Sequence, residues 1–441
     1  MNIAIKKTLT IMGVIGLFGI LPENLYAADA QLSGANTAWI LTSTALVLFM
    51  TIPGLAFFYG GLVRSKNVLS VLMQCFALTC MVSILWIVVL YGLVFGDGGS
   101  MNSVIGGFDK FFMSGVTNGS LVGDIPETVF AMFQLTFAII TPALIVGGFA
   151  ERMKFSGMML FSILWFTFSY LPICHMAWAG EGALFADWGV LDFAGGTVVH
   201  VNAGIAGLVT CLLLGPRKGF PREPMRPHNL PFTVMGAGML WVGWFGFNAG
   251  SALAANGDAG MAMLVTHMSA SAGALTWMAC EWFKFGKPSA LGAVTGMVAG
   301  LGTITPASGF VGPMGGLVIG ILGGFLCFNM TNLLKIKLRI DDSLDVFPVH
   351  GVGGALGTIL AGVFASASLG VFSGQGYAEG MDMASQLTVQ FTGVIATFVY
   401  TVIATFVILK LVDVLLGLRV GTDEETEGLD INQHNERGYD L

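Results

Sequence analysis

The chain has 441 residues, of which 55% are hydrophobic and only 10% are charged, and its formal net charge is -7. The mean hydropathy of +0.80 and the low charged fraction exclude an ordinary soluble domain, in which about a quarter of the residues are charged. Four acids cluster near the C-terminus, so the net charge reflects tails and loops rather than an acidic surface for a basic partner. The composition predicts an integral membrane protein.

The first thirty residues have the pattern of a signal peptide. Lys6 and Lys7 precede an apolar run over residues 9–21, and the small-residue stretch Ala-Ala-Asp-Ala follows at residues 27–30, at the distance expected of a cleavage site. An uncleaved anchor helix is the alternative, although the run is short for a membrane span. In either case we expect the chain that follows to start outside the cell.

Apolar segments separated by short polar loops follow, and each is long enough to cross a bilayer. They cover residues 36–63, 68–96, 125–149, 155–176, 194–215, 229–250, 259–283, 289–306, 311–334, 346–367 and 385–417. Eleven crossings from an outside start put the C-terminus in the cytoplasm, where Lys and Arg should concentrate. The predicted inner side holds 16 of these basic residues and the predicted outer loops hold only Lys110, which supports the span count.

Some of the 62 glycines recur at four-residue spacing. They are Gly292, Gly296 and Gly300 in the eighth span, and Gly312, Gly316, Gly320 and Gly324 in the ninth. This spacing places them on one helix face, where backbones can approach closely. The pattern predicts a compact helix bundle and carries no information about a substrate.

Two similar polar stretches lie in the fifth and tenth spans. One is "DFAGGTVVHVNAGIAG", with Asp192 and His200, and the other is "DVFPVHGVGGALG", with Asp345 and His350. If five spans are followed by an inverted copy of five, these stretches correspond, and a site would lie between the halves near the bilayer midplane. We therefore expect His200 and His350 to face each other.

Other interpretations of these polar and aromatic residues are open. A histidine in a helix is often a packing residue, and imidazole is also a common metal ligand. No third ligand stands at helical spacing from either histidine, so a metal site would be incomplete. The aromatic residues of the third, fourth and sixth spans are, taken singly, typical of an interfacial belt or of lipid-facing bulk.

Longer motifs resemble the Amt/MEP/Rh ammonium transporter family, most closely its bacterial Amt branch. They are "TALVLFMTIPGLAFFYGGLVRSKNVLS", "HMAWAGEGALFADWGVLDFAGGTVVH", "WFGFNAGSA", "GKPSALGAV", "DDSLDVFPVHGVGGALGT" and "EGLDINQHNERGYD". The resemblance runs from about Ala38 to the C-terminus. It implies an all-α integral membrane protein of eleven transmembrane helices, with two inverted five-helix repeats and an eleventh helix lying across them. It also implies a transporter domain at 31–417, a cytoplasmic tail at 418–441, and a homotrimer in the cell inner membrane with one pore per subunit and no cofactor.

The resemblance also assigns residues at the outer mouth of the pore. By motif, Phe137, Trp178 and Ser251 match an ammonium-recruitment site. Phe137 and Phe247 match a stacked pair of phenyl rings that gates the pore, and Asp192 matches an acid with a mainly structural and electrostatic role. About two more residues than usual separate Trp178 from Asp192, which bears on the shape of the outer vestibule.

Deeper in the pore, His200 and His350 match a twin-histidine pair, and Phe58, Phe133 and Trp244 match apolar positions of the gate and lining. The implied activity is electrogenic ammonium uptake, in which the cation loses a proton, ammonia crosses the apolar stretch and the histidines relay the proton. Imidazole suits this role because its reference pKa is about 6.5.

The C-terminal tail and one basic loop suggest a partner, and several alternative functions are open. The tail and the loop "GPRKGFPREPMRPHNLP" form either a docking surface for a PII-type signal protein or a coupling between subunits. The rivals are a passive NH3/CO2 gas channel of Rh type, an ammonium sensor and a membrane enzyme. Rh proteins typically lack the counterparts of Trp178 and Ser251, a sensor would be expected to append a signalling domain, and no nucleophile elbow, HExxH motif or phosphate loop occurs.

Overall fold

The structure is a computed structural model of the 441-residue chain, and it describes residues 31–440. The predicted signal peptide, residues 1–30, lies outside the described residues. The long helices are α1 (Gly34–Leu62), α2 (Ser65–Phe95), α3 (Glu127–Phe149), α4 (Phe155–Trp178), α5 (Gly196–Leu214), α6 (Leu230–Ala249), α7 (Gly257–Phe285), α8 (Ala290–Ile304), α9 (Pro313–Leu338), α10 (Phe347–Phe364) and α11 (Met383–Leu416).

Within the described part, nine of these helices are long and apolar enough to cross a membrane. They overlap the first six and the last three of the predicted spans, which makes the protein a multi-pass membrane protein. The other two are α7 and α8, which lie where the seventh and eighth spans are predicted. Helix α8 has only 15 residues, and α7 interrupts its apolar residues with polar ones such as Thr266, His267 and Ser269.

Several long helices contain π-helical turns, which hold one more residue than an α-helical turn. Helix α5 begins with such a turn at Gly196–Val201 and α10 begins with another at Phe347–Val352. Helix α6 ends with a third, at Phe245–Ala249. Turns of this type are rare and frequently lie at functional sites, and these three carry His200, His350 and Phe247.

Small elements fill the loops at one end of the bundle, called here the Trp178 end because α4 finishes there. Strands β1 (Leu121–Val122) and β2 (Ile125–Pro126) form an antiparallel pair in which Leu121 is opposite Pro126 and Val122 is opposite Ile125. A short helix at Leu184–Trp188 lies between α4 and α5. The opposite end, called the tail end, carries the C-terminal residues.

The glycine faces of α8 and α9 pack against α7, as the four-residue spacing predicts. A Cβ built at Gly324 would lie only 2.6 Å from the carbonyl oxygen of Gly273, and one at Gly316 would lie 2.9 Å from Cβ of Val265. Backbones this close gain dispersion contacts that lipid cannot replace. The packing of α7 to α9 therefore depends on the absence of side chains at these positions.

Helix α11 is joined to three other helices by buried hydrogen bonds. Trp165 Nε1 of α4 donates to Thr405 Oγ1 over 3.0 Å, and Thr401 Oγ1 donates to Asn202 Oδ1 of α5 over 2.9 Å. Gln390 Nε2 donates to the carbonyl oxygen of Thr358 in α10 over 2.7 Å. Such bonds determine which helices pack against each other, because breaking one would leave a buried polar group without a hydrogen-bond partner.

A buried ionic network closes the tail end. Arg217 contacts Asp341 over 2.8 Å and Glu151 over 3.2 Å, and Glu151 contacts Arg64 over 2.7 Å. Burial opposes ionisation of Glu151, but the two guanidinium groups hold its pKa below the usual value. The network links the ends of α1, α3 and α5 to the segment before α10.

The C-terminal tail folds back onto the same chain as two short helices, α12 (Thr422–Glu427) and α13 (Leu429–His434). The Asp430 carboxylate accepts from the backbone N–H groups of Leu69 and Ser70, at 3.1 and 2.8 Å, and so caps the first turn of α2. The Glu425 carboxylate accepts from the N–H of Lys218 over 2.6 Å. These side-chain bonds to backbone N–H groups hold the tail against the start of α2 and against the loop after α5.

Asp342 caps α10 from the tail end. Its Oδ2 accepts from the Phe347 N–H over 2.7 Å, and the residue is fully buried. Burial raises the pKa of this carboxyl to about 7, with a further contribution from the charge of Asp345.

We predict that Gly324→Ala destabilises the helix packing by about 1–3 kcal/mol, because the new methyl group would overlap the α7 backbone. The unfolding temperature in detergent measures the effect. Gly238→Ala is the matched control, since a Cβ there meets open space and the better helix former should not destabilise α6. Equal unfolding temperatures for Gly324→Ala and the unaltered protein would contradict the prediction.

We also predict a pH-dependent stability that Asp342→Asn removes. Because the folded pKa of about 7 lies above the ordinary value of 3.8, the folded chain keeps a proton that the unfolded chain releases. The free energy of unfolding should therefore fall as the pH rises from about 4 to about 7, by up to about 1.4 kcal/mol per pH unit, and then level off. Unfolding temperatures measured from pH 5 to pH 8 test this, and parallel curves for the two proteins would contradict it.

Candidate functional site

The centre of the bundle holds His200 of α5 against His350 of α10. Their Nδ1 atoms lie 3.1 Å apart, and the two rings are nearly parallel, with an interplanar angle of 12°. Both residues are almost completely buried. Because two ring nitrogens at this distance share a single hydrogen, one imidazole donates and the other accepts. The sequence-based expectation that the two histidines face each other is met by this geometry.

The short distance between the histidines follows from glycines that allow α5 and α10 to touch. A Cβ built at Gly204 would overlap the backbone of Gly351, and one at Gly354 would lie 2.6 Å from the Cβ of His200. These are the glycines that follow each histidine at helical spacing in the sequence. The two helices therefore cross backbone to backbone beside the rings they carry.

His175 is another buried histidine, and it shows what a histidine with a packing role looks like in this protein. The two ring nitrogens of His175 each lie 2.6 Å from a backbone carbonyl oxygen, those of Val94 and Asn102. By contrast, His200 Nε2 is buried and has no hydrogen-bond partner in the described part of the chain. Both ring nitrogens of His175 lie against protein oxygens, whereas His200 Nε2 has no partner in the described part of the chain.

A narrow apolar cavity surrounds the histidine pair. Trp244 stacks against His200, with ring centroids 5.7 Å apart and an interplanar angle of 16°, and its Nε1 donates to Thr305 Oγ1 over 2.9 Å. Phe58 also lines the cavity. The other lining residues are Met50, Leu55, Ile140, Leu144, Val199, Leu240, Phe247 and Val298. Apart from the two imidazoles and the indole N–H, which is already bonded, this wall offers no polar side chain.

A chain of aromatic rings leads from this cavity to the Trp178 end. Phe247 lies 6.2 Å from His200 and 4.2 Å from Phe137, measured between ring centroids. Phe137 in turn contacts Trp178 edge to face at 5.5 Å and Phe133 at 5.1 Å. The Phe137 and Phe247 rings meet at 33°, so they are tilted rather than stacked as the resemblance implies. All of these rings are buried.

Ser251 is linked to the aromatic residues by a hydrogen bond to Phe247 at the end of α6. Its Oγ donates to the carbonyl oxygen of Phe247 over 2.8 Å, directly after the π-helical turn that carries Phe247. The residue is partly exposed. Since the hydroxyl hydrogen is used inside the protein, the oxygen lone pairs are the part of Ser251 that can accept from a ligand.

Asp192 fixes both the start of α5 and the ring of Trp178. Its carboxylate accepts from the N–H groups of Gly195 and Thr197, each at 2.8 Å, and also from the Thr197 hydroxyl. Its own carbonyl oxygen accepts from Trp178 Nε1 over 3.0 Å. The residues between Trp178 and Asp192 include the short helix Leu184–Trp188 and still allow this bond.

The sequence comparison of the two stretches suggests that Asp345 corresponds to Asp192. In the structure the corresponding acid is Asp342, which lies before α10 as Asp192 lies before α5. Asp342 accepts from the N–H at the start of α10, whereas Asp345 pairs with Lys335 over 2.7 Å. The spacing contained the correct signal: Asp192 and Asp342 each precede their histidine by eight residues, and Asp345 precedes His350 by five.

A second, wider cavity extends from His350 toward the tail end. It shares Phe58, Val298 and His350 with the first cavity, so these residues lie between the two cavities. Lys335 and Asp345 are the charged residues of its lining. Over residues 31–440 the structure contains no group of three or more His, Cys, Asp or Glu side chains arranged to hold a metal ion.

Comparison with known proteins identifies the family of the chain. The chain matches the Ammonium Transporter Family over residues 38–439. It is 46% identical over 432 residues to an ammonium transporter of Aquifex aeolicus, covering 98% of this chain and 99% of the relative. The crystal structure of Mep2 from Saccharomyces cerevisiae is similar with a TM-score of 0.81 and 35% identity, covering 91% of this chain and 90% of that one. A structure described as a sensor Amt protein is similar with a TM-score of 0.83 and 28% identity, covering 91% and 98%.

Proteins of this family are transporters and not enzymes. The family match extends from the first described helix to the end of the tail, and the relatives from Aquifex aeolicus and Bacillus subtilis, at 46% and 45% identity, are named ammonium transporters. The chain therefore belongs to the ammonium transporter family.

Proposed function

We propose that this transporter recruits the ammonium cation at the Trp178 end, removes a proton there and conducts neutral ammonia past the histidine pair. The observation that carries the proposal is the His200–His350 contact inside an apolar cavity, joined by an unbroken series of rings to Trp178. A site for a cation at one end and an uncharged passage in the middle suit a substrate that can change its charge.

Electrostatics explains why the cation would stop at the aromatic rings. The faces of Trp178 and Phe137 attract a cation, and a desolvated cation–π contact is worth about 2 kcal/mol. Ser251 Oγ supplies an acceptor for one ammonium N–H. Moving an ion into an apolar interior costs tens of kcal/mol, so recruitment is favourable and passage as an ion is not. Ammonium can leave its proton behind, whereas potassium cannot.

The histidine pair would carry that proton. One hydrogen lies between the two Nδ1 atoms, and His200 Nε2, which has no hydrogen-bond partner in the described part of the chain, would receive the proton. Two positive charges on adjacent buried rings are unfavourable. A single shared proton therefore moves with each ammonia, and uptake transfers net charge. Phe133, Phe247, Phe58 and Trp244 exclude water and ions from the passage.

We extend the proposal to the arrangement in the membrane. Eleven spans, built as two inverted five-helix repeats with α11 across them, would include α7 and α8 beside the nine apolar helices. The concentration of Lys and Arg in alternate loops supports an outer Trp178 end and a cytoplasmic tail end in the cell inner membrane. On this proposal residues 1–30 are removed, 31–417 form the transporter domain, and three chains assemble as a homotrimer.

The tail end would bind a PII-type signal protein. The tail of residues 418–441 and the loop after α5 form one surface, because Glu425 accepts from the Lys218 N–H and Arg419 donates to the carbonyl oxygen of Pro216. Arg222 and Arg226 of the same loop are exposed. A pull-down with a PII protein, with and without nucleotide and 2-oxoglutarate, tests this partner, and the absence of a complex in every condition would discard it.

The experiment that tests the function is the transient current evoked by ammonium in proteoliposomes, with potassium as the control. A saturable current that potassium does not evoke is the expected result. Alkalinisation by ammonia without any current would instead indicate a passive gas channel and would contradict charge transfer.

We predict that His200→Asp and His350→Glu each still carry ions but lose discrimination against potassium. The substituted carboxylate places a fixed charge where the apolar cavity has none, which stabilises a cation in the passage. Current ratios for ammonium and potassium measure the change. A double alanine variant at both positions that keeps a fully selective current would disprove the relay.

We predict that Trp178→Leu raises the ammonium concentration for half-maximal current by about ten- to thirtyfold, which is the scale of a lost cation–π contact. Trp188→Leu is the matched control, because Trp188 lies in the short helix at the same end and packs on Phe185 instead of Phe137. Equal shifts in the two variants would show that the effect is not specific to the recruitment site.

A further inference from the structure

The cavity at the tail end contains one ion pair that the proposed function leaves unused. Lys335 Nζ, at the end of α9, lies 2.7 Å from Asp345 Oδ1, just before α10. The two side chains are 29% and 20% exposed, and both line the cavity together with His350. The pair therefore lies on the path from the histidines to the tail end.

Asp345 is held in an unusual conformation relative to the histidine helix. Its φ is +63°, in the left-handed region that residues with a side chain seldom occupy. Its carbonyl oxygen accepts from the Val349 N–H over 3.1 Å, which ties it to the first turn of α10. Backbone strain of this kind persists where the surrounding structure enforces it, and such positions cluster at functional sites.

The contact between the two charges is close but poorly directed. Asp345 Oδ1 is buried and makes no hydrogen bond of regular geometry within residues 31–440, although Lys335 Nζ is 2.7 Å away. A partly exposed ion pair of this kind contributes little to stability. Lys335 reaches Asp345 on a flexible four-carbon chain, so it can leave and return.

The chemistry of Lys335 resembles that of the substrate. The end of its side chain is an alkylammonium group, a positive nitrogen with three N–H donors. An ammonium ion formed in this cavity would offer the same charge and the same donors to the same carboxylate. The Lys335 side chain thus places an ammonium-like group, attached to the protein, in contact with Asp345.

We propose that Asp345 is an inner ammonium site on the exit path and that Lys335 occupies it as a tethered competitor. This inference rests on the proposed function and adds that ammonia and its proton recombine to ammonium beyond His350. With Lys335 in place, the newly formed ammonium finds the carboxylate occupied and leaves. Without it, ammonium binds Asp345, stays in the cavity and slows the following turnover.

The transport test measures inhibition from the exit side. Ammonium uptake is recorded in oriented proteoliposomes preloaded with increasing ammonium at fixed internal pH. We expect Lys335→Met to lower the half-inhibitory internal concentration about fivefold, the scale of a partly exposed ion pair. Lys337→Met is the matched control, since Lys337 is exposed two residues further along the same helix.

The double variant Lys335→Met/Asp345→Asn should return inhibition to the level of the unaltered protein, because the site that retains ammonium is gone. Equal inhibition in the unaltered protein and Lys335→Met would overturn the proposal. So would a decrease that persists in the double variant, since the carboxylate would then not be responsible. Lys335→Gln repeats the test if the methionine variant folds poorly.

A binding test decides the site without any transport. Unfolding temperatures of the purified proteins in detergent are compared in ammonium chloride and in sodium chloride at equal ionic strength. Lys335→Met should gain an ammonium-specific stabilisation that the double variant lacks. An equal response to both salts would overturn the site. If the unaltered protein evokes no ammonium current, the proposed function fails while this comparison still decides whether Asp345 binds ammonium.

Discussion

The free-energy cost of a charge in an apolar interior governs the whole arrangement. The charged clusters described above lie toward the two ends of the bundle: the Arg217–Glu151–Asp341 network and the Lys335–Asp345 pair at the tail end, and Asp192 at the Trp178 end. Between them, His200 and His350 can hydrogen-bond to one another while neutral, because a single hydrogen serves both Nδ1 atoms. The centre of the molecule therefore needs no ion to be stable, which is the condition for excluding ions from it.

The two helices that carry the histidines each start at a capping carboxylate, and the two caps lie at opposite ends of the bundle. Asp192 caps the start of α5 at the Trp178 end, and Asp342 caps the start of α10 at the tail end. Each carboxylate binds backbone N–H groups that a helix start leaves free. Each helix then begins with a π-helical turn that carries its histidine. Each histidine thus lies eight residues after the carboxylate that caps its helix, and the glycine crossing brings the two rings together.

Much of this was predictable because membrane composition leaves strong patterns. Hydropathy located the nine apolar helices, and the repeated acid–histidine–glycine stretch indicated that His200 and His350 meet. What the sequence left open depends on contacts between distant segments. The tilt of Phe137 on Phe247 follows from packing, and the cap that Asp430 places on α2 joins residues about 360 positions apart. Asp345 was paired with Asp192 because both precede a histidine, and counting residues would have selected Asp342.

The glycine crossing of α5 and α10 has a mechanical consequence. Contact between two backbones has no rotamers through which it can relax, so the gap beside the histidines is fixed by the covalent geometry of the chain. The Phe137–Phe247 constriction is different, since rotation about side-chain bonds can open it without moving a helix. On the proposed function, the passage therefore combines an aperture of aromatic rings that side-chain rotation can adjust with a histidine pair that a rigid backbone contact holds in place.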